Sequence, residues 1–337
     1  MGGTTGAPAD GTSLHALPTL RIVWDAGTVP EWYRLLAQVP RSTLTQAFGY
    51  SIALMTTEKW KPRLGVIELG DTPVGLVVVT EKRLLGGLIR VVRMHRGPLI
   101  RPEAGKPAVI AATMKELRKA YPSGPLNWTA IVPELPAGEE TDAILRWAGW
   151  RKDGGRRAGP GYRTLWLDLT GAEADLRAGL AQKWRNALNQ AERAGLVVEV
   201  DRDGSTLLPW LLDRYLEDKA AKGYRGAGRP LLMRLRTAMH KDGDILVLRA
   251  CMEGEPVAGI LMLGHGAAAT YQIGWTGEGG RRTRAHNLLL WRAMLELKAQ
   301  GRHCLDLGGL LPDQAPGVTA FKRGLGGEEV ELTGVWR

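Results

Sequence analysis

The side chains able to do chemistry are dispersed along this sequence, and the common catalytic constellations are missing. Cys251 and Cys304 stand far apart with no partner motif, which argues against a disulfide framework and a cysteine-rich metal centre. The histidines (His15, His95, His240, His265, His286 and His303) show no metal-ligand spacing, and no GxxxxGK[ST], HExxH, CxxC or GxSxG occurs. Gly223, Gly226 and Gly228 read GxxGxG, but between two predicted helices, where they form a loop. Chemistry without a metal or a nucleotide is therefore expected, and the candidates are cations, aromatics and one acid. Arg96, in an Arg-Gly-Pro turn, binds a phosphate or carboxylate or holds the turn. Lys183, Arg185 and Arg193 fall on one helix; positions eight apart share a face, so 185 and 193 align for phosphate contact or form a solvated face. Tyr271, Gln272 and Trp275 lie on one predicted strand, where alternation puts 271 and 275 together and 272 opposite, for substrate contact or core packing. His286 and Asn287 are candidates for a cleft mouth. Asp306, before Gly308-Gly309, is a general-base candidate or holds that turn by hydrogen bonds.

An acyl-CoA donor calls for a glycine-rich turn, roughly [RQ]xxGx[GA], whose bare N–H groups at a helix start cradle the pyrophosphate. The equivalent stretch here is Gly280–Asn287, with Arg284 and His286 at the two glycine positions. Side chains there are expected to block close backbone approach, which weakens an acyl-CoA reading.

These residues must be positioned by a regular scaffold. Glu31–Gln38 and Leu44–Thr56 read as helices, then Leu64–Leu69, Pro73–Thr80 and Leu88–Met94 as strands punctuated by Gly70-Asp71 and Gly86-Gly87. Pro107–Tyr121 is predicted as a helix, Leu126–Val132 as a strand and Thr141–Gly149 as a short helix. After a basic, glycine-rich linker at Arg151–Gly161, a similar order returns. Thr164–Leu169 is a strand, Leu176–Ala194 a helix and Leu196–Asp201 a strand. Leu207–Lys222 and Pro230–Lys241 are helices, and Ile245–Met252, Pro256–Gly264 and Ala268–Trp275 are strands. Ala285–Gln300 is a helix, Cys304–Leu307 a strand and Val330–Trp336 a last strand. Each half thus runs helices, a three-strand antiparallel meander, then helix and strand: an α/β (α+β) class with mixed central sheets, in two copies.

The 337 residues allow two domains, and 44% hydrophobic with 24% charged content allows a real core. Residues 1–17 read as a flexible tail, 18–160 as a first domain and 161–337 as a second, with a final strand (about 325–337) able to pack with the first. No apolar run approaches the roughly 20 residues of a membrane helix, and the first residues lack a signal-peptide pattern, so a cytoplasmic location is expected. A net charge of +10 suits a polyanion such as RNA, an anionic membrane surface touched peripherally, or merely a basic surface.

Several segments in order resemble one family. Ser42–Trp60, followed by strands and Arg96-Gly97-Pro98, resembles the first domain of the Fem-type (FemABX) peptidoglycan-bridge aminoacyltransferases, within the GNAT-like acyltransferase superfamily. Lys183-Trp184-Arg185-Asn186 with Ala191-Glu192-Arg193-Ala194-Gly195 resembles the K-x-R helix opening the family's second domain. Asn287–Trp291, Gly301, Asp306-Leu307-Gly308-Gly309, Gly317 and Ala320–Gly327 resemble its end block. The resemblance spans about residues 40–337 and implies two GNAT-like domains. About forty residues between the strands at Asp201 and Asp244 leave room for two ordinary helices, so no long helical arm is expected.

That resemblance also implies a reaction: transfer of an amino acid from aminoacyl-tRNA to an amine of a nucleotide- or lipid-linked muropeptide. It places Lys322 at the reaction centre as the cation stabilising the oxyanion, with the Phe321 backbone carbonyl accepting a proton from the attacking amine. No cofactor is implied. The alternatives are an acyl-CoA-dependent N-acyltransferase, with acyl-CoA as co-substrate, and a non-catalytic RNA- or precursor-binding protein. The alternative reading of Lys322 is a solvated lysine in the run Lys322-Arg323.

Overall fold

The computed structural model describes residues 19–154, 162–239 and 244–337. The tail at 1–17 and most of the linker at 151–161 lie outside the described residues. The first half contains β1 (Leu20–Trp24), α1 (Val29–Ala37), α2 (Phe48–Glu58), β2 (Lys61–Leu69), β3 (Thr72–Leu84), β4 (Ile89–Gly97), β5 (Leu99–Ile100), α3 (Pro107–Ala120), β6 (Asn127–Pro133) and α4 (Glu139–Trp147). The second contains β7 (Arg163–Asp168), α5 (Glu173–Gly179), α6 (Gln182–Glu192), β8 (Val197–Asp201), α7 (Leu207–Lys222), α8 (Arg229–Ala238), β9 (Ile245–Met252), β10 (Glu255–His265), β11 (Ala268–Thr276), α9 (Glu278–Arg282), α10 (Ala285–Ala299), β12 (Cys304–Asp306), α11 (Pro316–Arg323) and β13 (Glu328–Glu331).

Two mixed sheets result. The first has the order β1-β2-β3-β4-β6 with β5 on β3; the second runs β13-β7-β12-β11-β10-β9-β8. In each, an antiparallel meander (β2-β3-β4 or β9-β10-β11) is followed by a helix (α3 or α10) and a parallel strand (β6 on β4, β12 on β11). This is a mixed α/β fold with two GNAT-like sheets. Between β8 and β9 the described residues form only α7 and α8, so no long helical arm occurs there.

Local chemistry explains the elements. β3 carries the valine-rich apolar run Val74–Val79, buried at every position. α1 opens with a reciprocal capping box, in which the Thr28 hydroxyl accepts from the Glu31 N–H and the Glu31 carboxylate accepts from the Thr28 N–H at 2.6 Å. The expected single helix Leu176–Ala194 is instead two, α5 and α6. Leu180 is extended (φ −66°, ψ 138°) and buried, and the Ala181 N–H donates to Gly324 O at 2.9 Å, so a tertiary bond to the end of α11 replaces a helical one. Four short elements, β1, β5, α9 and α11, were not expected from the sequence pattern.

Three apolar cores hold the sheets. One packs α6 and α10 on one face of the second sheet, through Trp184, Leu188, Leu289 and Met294. Another packs α3 and Trp336 on the first sheet, through Met114, Leu117 and Ile131. The third belongs to both halves: Trp32, Leu36, Leu76 and Val78 join Leu211, Leu235, Leu261 and Ile273. The chain end is also shared. β13 pairs with β7 in the second sheet, whereas Trp336 exchanges two 2.8 Å backbone hydrogen bonds with Ile131 of the first.

Candidate active site

β11 and β12 pair only over Ala268–Thr270 and Cys304–Asp306, and the site lies where that ladder stops. Gly308 turns there at φ 71°, a conformation that glycine adopts without strain. Lys322, in the last turn of α11, enters this space from the side. It is buried (8% exposed), and its Nζ donates to Gly309 O at 2.8 Å and lies 5.9 Å from the centre of the Tyr271 ring. Burial pushes its pKa down to about 8, partly opposed by the negative charge of Asp306. At pH 7 it is thus mostly an ammonium, enclosed and readily discharged. Phe321 turns its side chain between Trp184 and His286, at ring distances of 5.9 and 5.5 Å.

Other expected site residues are brought near but engaged differently. Asp306 is fully buried and accepts from the Thr164 hydroxyl, from Arg96 Nη1 and from the Gly308 N–H at 2.8 Å. A carboxylate so bonded is a poor general base; it holds the turn. Arg96 does not face an incoming anion, because carboxylates already occupy its guanidinium. Glu134 takes Nε and Nη2 at 2.7 and 2.8 Å, Asp306 takes Nη1, and Tyr162 stacks 5.0 Å away. Burial works against the Arg96 charge, yet these two acids raise its pKa.

The strand reading of Tyr271 and Trp275 requires correction. Leu261 pairs with Ile273 but the next residue, Met262, pairs with Tyr271, so Gln272 is an extra residue in a β-bulge. The bulge reverses the alternation: Tyr271 joins the α10 side, whereas Trp275 packs edge-on against Trp210 of α7 at 5.8 Å. The Tyr271 hydroxyl lies over Gly274, where a Cβ would sit 2.1 Å from it, and bonds His286 Nε2 at 3.0 Å. His286 Nδ1 meets the Thr276 hydroxyl at 2.8 Å, and burial pushes its pKa down to about 4. His286 is therefore a neutral, satisfied support for Tyr271, not a group at a cleft mouth. Both of its ring nitrogens are thus engaged within the protein. Asn287 is buried in α10 (6% exposed) and so does not sit at a cleft mouth.

On α6, Arg185 is not a phosphate contact. It donates to Ala178 O, Leu180 O and Gln182 Oε1, tying down the break between α5 and α6. Lys183 is exposed, and Arg193 lines an open surface with Asn186, Asn189 and Gln190. Gln190 Nε2 donates to Arg282 O at 3.3 Å, which sets this surface beside the exposed Arg281, Arg282 and Arg284.

A groove of about 450 Å³ between the two sheets completes the site. Its lining includes Tyr50, Trp60, Arg93, His95, Tyr162 and Gln272. Tyr162 reaches from the groove to the turn that holds the lysine, since a methyl group on Gly309 would lie 3.5 Å from Tyr162 Cε2, although Lys322 itself does not line the groove. Arg93 lies over the Trp60 indole at 4.4 Å, and Lys82 approaches the same ring at 5.6 Å. Of the groove residues, Arg96 and Gln272 were singled out from the sequence, and Tyr50, Trp60, Arg93 and Tyr162 were not. For Arg93 and His95 a signal existed: in Val92-Arg93-Met94-His95 the polar residues alternate with buried ones on β4.

Comparison with known proteins fits this geometry. Residues 175–323 match the family model for the acetyltransferase (GNAT) domain. The crystal structure of FemX superposes with a TM-score of 0.75 at 15% identity, covering 93% of this chain and 96% of that one. The C-terminal domain of a protein provisionally assigned as a lysylphosphatidylglycerol synthetase, from Agrobacterium fabrum, gives 0.51 at 14% identity, covering 92% of each. A tandem GNAT protein from the clavulanic acid biosynthesis pathway gives 0.50 at 17% identity, covering 94% of this chain and 98% of that one. No curated protein sequence matches the chain. Among the described residues no helix is long and apolar enough to cross a membrane. In fold the chain is similar to FemX and to the tandem GNAT protein, and residues 175–323 are similar in sequence to the acetyltransferase (GNAT) domain.

Proposed function

We propose that this protein transfers an aminoacyl group from tRNA to an amine of a peptidoglycan precursor or a similar acceptor. The observation carrying the proposal is Lys322: an enclosed ammonium held by Gly309 O and the Tyr271 ring, at a turn that touches Tyr162 of the intersheet groove. Aminolysis of an ester passes through an oxyanion, and a preformed cation in a poorly hydrated site stabilises that charge strongly. The acceptor occupies the groove with its amine toward Lys322. The exposed basic surface of Lys183, Arg193, Arg281, Arg282 and Arg284 receives the phosphates of the donor. The Phe321 carbonyl takes the proton released by the attacking amine. Charged tRNA places the reaction in the cytoplasm, with peripheral membrane contact when the acceptor is lipid-linked.

The start of α10 favours a second reading. Arg284 caps it in a left-handed conformation (φ 58°) without a side-chain hydrogen bond, and His286 turns inward. An uncapped helix start attracts phosphate, so acyl-CoA remains an alternative donor. One assay separates the two. Mixed labelled aminoacyl-tRNAs, or labelled acetyl-CoA, are incubated with an envelope-precursor extract. Label should pass from tRNA, and Lys322→Ala should slow it by about 10²–10³-fold, the scale for losing one oxyanion partner. Transfer from acetyl-CoA alone would reverse the assignment of the donor. Binding without transfer by the wild-type chain would make it a non-catalytic RNA- or precursor-binding protein.

A further inference from the structure

Arg96 and Asp306 are 210 residues apart in sequence and belong to different sheets, yet they form a buried ion pair one turn away from Lys322. The connection can be followed bond by bond. Glu134, at the end of β6, grips two nitrogens of Arg96, whose left-handed backbone (φ 53°) ends β4. Arg96 Nη1 donates to one Asp306 oxygen; the other accepts from the Thr164 hydroxyl of β7 and from the Gly308 N–H. The Thr164 hydroxyl also lies 3.1 Å from Gly308 O. The turn thus pinned presents Gly309 O to Lys322 Nζ. We infer that Arg96 and Asp306 are positioning residues for Lys322: through the Gly308–Gly309 turn they set where its ammonium stands and how firmly it holds its proton.

The alternative is that the pair only joins the two sheets. Two observations favour the further role. The shared apolar core already joins them over a wide area. The pair, moreover, ends on a glycine turn whose one polar product toward α11 is the carbonyl that receives Lys322. The ionisable groups around Lys322 are few: Asp306 from β12, Tyr271 from β11 with His286 of α10 bonded behind it, and, beyond Asp306, Arg96 and Tyr162. Asp306 is the acid whose charge favours the ammonium, and Arg96 partly cancels that charge.

The inference rests on Lys322 being the cation at the carbonyl, but its test needs no substrate, so the two fail separately. The chain is labelled with [13Cε]lysine and titrated by NMR, and Lys322 is assigned as the signal missing from Lys322→Met. In the wild type it should titrate well below the surface lysines. Asp306→Asn, which keeps an acceptor for Gly308 and Thr164 but removes the charge, should lower the Lys322 pKa by about one unit, the scale for one neighbouring charge. Arg96→Gln, which leaves Asp306 uncompensated, should raise it. A pair that merely joins the sheets predicts no such opposite movement. Should either single variant not fold, the double variant Arg96→Gln/Asp306→Asn relieves the unpaired Asp306 charge and should still titrate below wild type. The inference is overturned if Lys322 of the wild type titrates with the surface lysines, or if the variants leave it unchanged or move it the same way.

Discussion

At the scale of the residue, Lys322 sets a conflict between stability and chemistry. A charge that burial disfavours must be supported by a single carbonyl, an aromatic face and one nearby acid. Its pKa falls from 10.5 to about 8, so the charged form costs about 3 kcal/mol in the folded state at neutral pH. The folded state binds this proton less tightly than the unfolded chain. The cost is therefore complete below pH 8 and fades as pH rises toward 10.5, where both states lose the proton. Lys322→Met removes the charge, keeps much of the apolar stem and leaves Gly309 O without its partner, at about 1–2 kcal/mol. The variant should be more stable than wild type by about 1–2 kcal/mol at pH 7 in urea unfolding, and the advantage should vanish or reverse by pH 10.5. A variant less stable at pH 7 would mean that Lys322 is not held as a strained cation. A site that gains stability when its cation is removed has been shaped for something other than stability.

Among the elements, β3 and β4 carry the groove wall, and their pairing has a gap. β3 pairs with β4 over residues 80–84 and with β5 at 75–76, which leaves Val77–Val79 between them. The buried amide of Gln46 fills the gap: Oε1 accepts from the Val78 N–H at 2.6 Å, and Nε2 donates to His95 O at 2.9 Å. Gln46→Leu preserves the volume but strands the Val78 N–H and removes the Nε2 donor from Val78 O, while His95 O keeps the Thr45 hydroxyl. It should lower stability by about 2–4 kcal/mol in urea midpoint with an unchanged m-value, and speed hydrogen exchange at Val78. The gap also shows what could be read in advance. The β-branched runs and glycine turns made the meanders and their repeated order legible, because local pattern dictates them. α11 was not legible, since Pro316–Arg323 is eight residues with a glycine and two β-branched positions and forms by packing beneath the second sheet. The bulge at Gln272 was equally silent, because nothing in Tyr-Gln-Ile-Gly-Trp marks an extra residue. Hence the aromatic pair was placed on one face when it lies on two. Lys322 was singled out through its end-block resemblance, while its burial was not legible in the run Lys322-Arg323. The Arg96–Asp306 pair was not, since two charges 210 positions apart carry no mutual signal.

Over the whole molecule, the two halves are joined by apolar contact and by a few buried polar groups, of which His265 is the most exposed to pH. It ends β10 at the seam. Ser42 of the first half donates to its carbonyl at 2.7 Å, and its Nε2 meets the Thr270 hydroxyl at 2.8 Å. Burial pushes its pKa down to about 3, opposed by Asp306 and helped by Arg302 and Arg96, so the folded state keeps it neutral. The unfolded chain binds that proton near pH 6.5, the folded one far lower. The stability His265 contributes is thus present above 6.5 and lost as pH falls through the interval, by about 3 kcal/mol at pH 4. His286, held at about 4, acts in the same direction. Because the third core draws residues from both halves, the loss should appear as one cooperative transition. Calorimetry between pH 7 and 4 should therefore show a single unfolding peak that moves steeply to lower temperature. His265→Gln, neutral throughout and able to meet Thr270, should flatten that dependence while changing little at pH 7. Two resolved peaks would show that the halves unfold separately. An unchanged pH dependence in the variant would show that the seam histidine does not govern it, leaving the acidic limb to His286 and the surface carboxylates.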